Sequence, residues 1–125
     1  MPKLTKDLIK EWENKTGPVV FTTVNKEGIP NSIYATCVSL YNEDTIVVAD
    51  NYFDKTKANL MESNEASILF YTNDDKAYQV KGKVEYIKSG NIYDDMKKWN
   101  PEKHPGNAAA ALNIREIYSG SDKII

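Results

Sequence analysis

The sequence predicts a small antiparallel β-barrel with short helices on its outside. Two observations predict it. About six runs are rich in β-branched and aromatic residues, which favour strands. Tight turns punctuate them, at Asn25-Lys26-Glu27-Gly28, Asn42-Glu43-Asp44 and Asn73-Asp74-Asp75-Lys76. Turns this short can join only antiparallel neighbours. Closing the sheet into a barrel removes edges that would otherwise pair with other chains.

The first element is a helix over about Lys6 to Lys15. Thr5 is its cap, Leu4 and Ile9 form a hydrophobic staple, and Leu8, Ile9 and Trp12 make the buried stripe. Gly17-Pro18 closes this segment. Strand one is Val19 to Val24, strand two Pro30 to about Leu40, and strand three Thr45 to Ala49. A short helix follows from Lys55 to Ser63, with Asp54 as its cap. Strand four is Ser67 to Thr72. Strand five, Ala77 to about Lys88, places Val80, Gly82, Val84 and Tyr86 on one face. A third helix spans about Asn91 to Trp99, with Ile92, Met96 and Trp99 on one side. Two prolines between Asn100 and Gly106 prevent its continuation. The alanines after Asn107 favour helix, so a helical turn is expected near Asn107 to Ala110. The sixth strand then runs from about Ala111 to Tyr118.

A chain of 125 residues predicts one domain, spanning 1–125. Its net charge of −2 provides no broad basic surface for nucleic acid. The single cysteine, Cys37, excludes an internal disulfide and fits a reducing cytoplasm. No apolar run approaches membrane-spanning length, and MPKLTKDL is too polar for a signal peptide. The expectation is a soluble cytoplasmic protein.

The stretch NYFDKTKANL, Asn51 to Leu60, carries the most chemistry. Lys55, Thr56 and Lys57 fall in the first turn of the predicted helix. A helix N-terminus already bears partial positive charge, so lysines are unfavourable there unless an anion docks on them. Free N–H groups, the dipole, an ammonium and a hydroxyl together suit a phosphate. The competing reading is a solvated helix start. On strand two, Ile33, Ala35 and Cys37 share the apolar parity, while Ser32, Tyr34 and Thr36 share the polar one. If strands two and three are neighbours, Ser32 and Tyr34 lie near Asp50 to Asp54. A planar, hydrogen-bonding ligand then fits between them and the helix start.

The order GIPNSIYAT, TIVVADNYF, DKTKANL resembles the FMN-binding split-barrel proteins related to pyridoxamine 5′-phosphate oxidase, especially their short stand-alone members. The resemblance runs from about Val19 to Gly82 and, more weakly, to the C-terminus. It implies a mainly β fold with short helices, a six-stranded antiparallel split β-barrel of the FMN-binding type. It implies FMN as cofactor, with Lys55 and Thr56 at its phosphate. Ser32, Ile33 and Tyr34 correspond to the strand that contacts the isoalloxazine ring. Ala49, Asp50 and Asn51 correspond to the strand end that meets the pyrimidine edge, mainly through backbone groups. Gln79, in YQVKG, corresponds to the glutamine of the oxidases' RQV motif, although its spacing to the next glycine is shorter. The family also implies a homodimer with FMN where the subunits meet. The oxidases end in an Arg-Leu-Ala-Pro-type substrate clamp, whereas this sequence ends SGSDKII, so vitamin B6 oxidase activity is not expected.

The resemblance leaves three functions open: a flavin-dependent oxidoreductase or electron carrier, a non-catalytic FMN-binding or storage module, and a barrel using a deazaflavin or haem. No residue identifies the electron donor or acceptor. No metal site is expected, because the one histidine, His104, has no cluster of partners. His104 falls in the NPEKHPG loop and reads either as a loop residue without chemistry or as a wall of the flavin pocket. Cys37 reads as a buried small hydrophobe. Asp94 and Asp95 read as a solvated helix face, and Trp99 as a core or interface anchor.

Overall fold

The computed structural model describes residues 3–125. The chain order is α1 (Lys6–Glu13), β1 (Val19–Val24), β2 (Pro30–Ala35), β3 (Val38–Tyr41), β4 (Thr45–Asp50), α2 (Lys55–Glu62), β5 (Glu65–Tyr71), β6 (Ala77–Ile87), α3 (Asn91–Trp99), β7 (Ala108–Ser119) and β8 (Asp122–Lys123). All strands join one antiparallel sheet in the order β2-β1-β5-β6-β7-β4-β3, with the short β8 on β7. The two ends of this order, β2 and β3, are consecutive in sequence and separated only by Thr36 and Cys37. The sheet is therefore curled, and its ends meet through the covalent chain rather than through a ladder. This is the open seam of a split barrel.

That seam corrects two expectations. Eight strands form rather than six, and the predicted strand from Pro30 to Leu40 is really two. Up to Ala35 the segment pairs with β1; from Val38 it pairs with β4. The change of partner requires a break, made by a tight turn in which Val38 N donates to Thr36 O at 3.2 Å. Period-2 alternation continues through such a break, so sequence pattern does not reveal it.

The alanines give a third correction. Ala108 to Ala111 are strand, paired with Asp50 to Val47 of β4. Intrinsic helix preference is a weak prior that ladder formation and packing override. All four alanines are fully or almost fully buried, because both faces of β4 and β7 are covered. Ile46, Val48, Ala110 and Leu112 face the main core inside the curl with Phe21, Ile68 and Val80. Val47, Ala49, Ala109 and Ala111 face a second core beneath Met96 of α3. Small side chains let α3 sit close to the sheet.

Helix α1 covers the part of the curl where Phe70 and Tyr78 lie. Thr5 caps it as expected, its hydroxyl accepting from Leu8 N at 3.3 Å. Leu4, Leu8 and Trp12 are buried, and Trp12 meets Phe70 edge-on with ring centres 5.1 Å apart. The Tyr78 hydroxyl donates to Glu11 Oε2 at 2.8 Å, tying α1 to β6. Burial first, and then this bond, pushes the phenol from 10.0 up to about 12. Its contribution to stability has a definite pH window. Below the unfolded value both states hold the proton, so the contribution is complete. As pH rises from there to about 12, the unfolded chain ionises first and stability falls. Urea midpoints measured against pH are expected to decline less steeply across this window in Tyr78→Phe than in the parent. An unchanged slope would exclude Tyr78 as a contributor.

Candidate functional site

The site grows from the end of β4. Asp50, its last residue, is only 2% exposed. One carboxylate oxygen accepts from Phe53 N at 3.0 Å, and the other accepts from the Tyr86 hydroxyl of β6. Burial and then the Asp50 carboxylate raise the Tyr86 phenol well above its ordinary range, so it remains a donor. These bonds fold Asn51–Asp54 tightly over the end of the sheet and deliver the chain into α2.

The start of α2 differs from expectation in one respect. Asp54 occupies the cap position, yet its side chain makes no capping bond. No acidic residue lies in the first turn. The leading N–H groups therefore lack a side-chain acceptor, and the positive end of the dipole is uncompensated. Lys55 is exposed here, and it makes no ion pair among the described residues. Lys57 instead turns toward Tyr86, with Nζ 5.8 Å from the ring centre. Thr56 is 1% exposed, and its hydroxyl accepts from Asn31 Nδ2 at 3.2 Å. That bond fastens α2 to β2 and leaves the hydroxyl hydrogen available to a second acceptor.

Beside this helix start lies a cavity of about 280 Å³. Ile33, Tyr34, Ala35 and Cys37 line it from the seam, Ala49 from β4, Asn51, Tyr52 and Phe53 from the loop, and His104 from across. The structure thus brings together Ile33, Tyr34, Ala49 and Asn51 from the sequence-predicted set, while Lys55 and Thr56 do not line the cavity and follow Phe53 in the chain at the start of α2. Three predicted residues lie elsewhere. Asp50 is turned inward to Tyr86 and Phe53, so its side chain organises the loop rather than lining the cavity. Ser32 bonds to the Thr22 hydroxyl at 2.8 Å on the outer face of the sheet. Gln79 lies in a separate outer depression with Thr22, Ser67, Lys81 and Arg115. Sequence pattern assigned Cys37 to the core, whereas it is half-buried at the cavity wall. Sequence reasoning did not single out Tyr52 and Phe53; their adjacency as an aromatic pair in NYFDKTKANL is the signal that could have found them. Of the two readings left open for His104, the structure places it in the cavity wall, held there by nonlocal bonds.

The fold and cavity set the context for relatives. The sequence pattern of pyridoxamine 5′-phosphate oxidase matches residues 5–119. The chain belongs to the pyridoxamine 5′-phosphate oxidase family. An uncharacterized protein of Methanocaldococcus jannaschii is 30% identical over 123 residues, covering 94% of this chain and 80% of its own length. An FMN-binding protein from Syntrophomonas wolfei superposes with a TM-score of 0.77 at 22% identity, covering 93% of this chain and 88% of its own. HupZ of Group A Streptococcus superposes with a TM-score of 0.80 at 20% identity, covering 93% of both chains. The same fold is shared more distantly by an F420 reductase (TM-score 0.64, 12% identity, 94% and 98% covered) and by HutZ, the haem storage protein of Vibrio cholerae (TM-score 0.64, 13% identity, 91% and 93% covered). At such identities the likeness speaks to the fold. Members built on it bind more than one kind of planar cofactor. Among the described residues no helix is long and apolar enough to cross a membrane, and no group of three His, Cys, Asp or Glu side chains could hold a metal.

Proposed function

We propose that this chain binds FMN and serves as a flavin-dependent oxidoreductase or electron carrier. The observation that carries this reading is a cavity walled by Ile33-Tyr34 and Asn51–Phe53, with the α2 start following Phe53 in the chain, uncapped by any side chain and carrying a Lys55 that is exposed and outside any ion pair among the described residues. The isoalloxazine ring would lie between Ile33-Tyr34 and Asn51–Phe53, and the phosphate would meet the α2 N–H groups and Lys55. Bound there, the flavin supplies the redox chemistry, while the chain's residues bind and orient it. The fold shared with the S. wolfei FMN-binding protein supports FMN. The absorbance spectrum of the purified protein, with identification of the released cofactor, tests it. Released FMN is expected; a Soret band or a released deazaflavin would replace FMN with one of the other cofactors of this fold.

The reading includes a homodimer, and the outer face of the sheet supports it. Register aligns Tyr34, Val20, Leu69 and Gln79 in one row across β2, β1, β5 and β6. Tyr34 is 78% exposed and Leu69 43%, an unusual apolar presentation for a solvated face. The row runs from Tyr34 at the cavity through Gln79 to its β7 neighbour Tyr118. A two-fold axis lying in this face and parallel to the strands lays the second copy's row antiparallel on the first. With that axis midway between Val20 and Leu69, the partner's glutamine would fall over Tyr34, beside the cavity that Gln79 of the same copy does not line. Sedimentation equilibrium is expected to give a dimer for the parent and a monomer for Leu69→Lys, with the monomer losing its flavin. A Leu69→Lys protein that remains dimeric would move the interface elsewhere.

A further inference from the structure

The loop from Pro101 to Pro105 is pinned at both ends onto the chain leaving β4. At its start, Asn100 and Asn51 exchange amide bonds: Asn51 Nδ2 to Asn100 Oδ1 at 3.0 Å, and Asn100 Nδ2 to Asn51 Oδ1 at 2.9 Å. At its end, Gly106 N donates to the same Asn51 oxygen at 3.0 Å, and Asn107 N donates to Asp50 O at 2.8 Å. Lys97 of α3 reaches over to Pro105 O at 3.0 Å and Gly106 O at 3.3 Å. Gly106 holds φ +54°, a left-handed conformation that favours glycine, and a Cβ there would crowd Lys97 Nζ and Asn100 Nδ2. Asn100 itself is 6% exposed, with every polar atom of its side chain engaged. A buried amide pair of this kind fixes one loop position, since any shift strands its donors and acceptors.

What the latch places is His104. Its Nδ1 lies 3.1 Å from the Tyr52 hydroxyl, and the two rings meet edge-on at 5.5 Å between centres. A phenol is the better donor of the two, and a neutral imidazole nitrogen the better acceptor. We therefore assign the bond as Tyr52 donating to Nδ1, which leaves the proton on Nε2. Both side chains line the cavity.

We propose that the Pro101–Pro105 loop is the wall that meets the planar end of the bound cofactor, with His104 as its contacting donor and Asn100 as the positioning residue that holds it there. The inference rests on the flavin reading above and adds a separable element to it. The ring wall and the phosphate end are held by different residues, so they answer differently to ligands. Lumiflavin has the ring without ribityl or phosphate, riboflavin adds the ribityl chain, and FMN adds the phosphate. Asn100→Asp keeps the shape of the side chain but loses the donor to Asn51 Oδ1. It is expected to weaken all three ligands by one common factor of about tenfold, the scale of a lost buried hydrogen bond. Amide exchange at Gly106 should accelerate in the same variant, because its acceptor is released. His104→Ala leaves the latch intact. It is expected to weaken the three ligands alike while Gly106 exchange stays as in the parent. The test titrates the three flavins against the parent and both variants, and follows Gly106 by hydrogen exchange. A parent that binds lumiflavin, with both variants binding it equally well, overturns the wall. Loss of FMN affinity alone would also overturn it, because that pattern belongs to the phosphate end. A parent that binds none of the three overturns the flavin reading itself, and the wall with it.

Discussion

Gly82→Ala is expected to cost about 3 kcal/mol or more of stability, at the upper end of what overpacking does and among the largest single-residue effects. Gly82 is buried on the inner face of β6, where the pairing with β7 shifts register between Lys81 and Gly82. The irregularity swings the Asn113 carbonyl into the space where a side chain would begin. A Cβ would sit well inside van der Waals contact of Asn113 O, and 2.9 Å from both Asn113 C and Leu112 Cδ2. Two of these three obstacles are backbone atoms, which no rotamer change can move. They belong to β7, which pairs with β4, β6 and β8. Urea unfolding of parent and variant is the measurement. A loss below about 1 kcal/mol would mean that the two strands slide into regular register without harm.

The effect at Gly82 shows what sequence reading reaches. Val80, Gly82 and Val84 share a face by alternation, and that assignment holds. The bulge that makes glycine necessary depends on β7, some thirty residues away, and leaves no local trace. The same division runs through the molecule. β1, α3 and the start of α2 were legible because periodicity, turn residues and caps are local. The split of Pro30–Tyr41 into β2 and β3 was not, because it follows from two different partners at the two ends of the sheet. Nor was the strand at Ala108–Ala110, ahead of the expected start at Ala111, where burial between the two cores overrides alanine's helix preference. In the site, the family resemblance grouped Ile33, Tyr34, Ala49 and Asn51, and these four line one cavity. For His104 the sequence left the pocket wall as one of two alternatives, and the choice rests on the pair Asn51–Asn100, residues 49 apart in sequence. Asp50 was chosen for its backbone. Its buried carboxylate, between Tyr86 and Phe53, is the feature that only the fold reveals.

Lys55→Ala is expected to weaken FMN by about 1–3 kcal/mol, roughly 5- to 150-fold, the range for losing a hydrogen bond to a charged group. Lys55 is the ammonium best placed to act, because Lys57 is turned toward Tyr86 and Thr56 is buried against Asn31. Being exposed and outside any ion pair among the described residues, Lys55 contributes little to folding, so the variant should unfold like the parent. Riboflavin should bind parent and variant equally. An equal loss for both ligands would place Lys55 at the ring rather than the phosphate. The α2 N–H groups remain in the variant, so FMN should still retain part of its advantage.

The parent protein titrated in parallel with FMN and riboflavin, followed by flavin fluorescence, tests the central claim most directly. The ring, the ribityl chain and every ring contact are common to the two ligands, so the difference isolates the helix start. FMN is expected to bind more tightly by at least about tenfold, or 1.4 kcal/mol. Equal affinities would contradict the phosphate site at Lys55 and the N-terminus of α2, and with it the orientation of the flavin in the cavity.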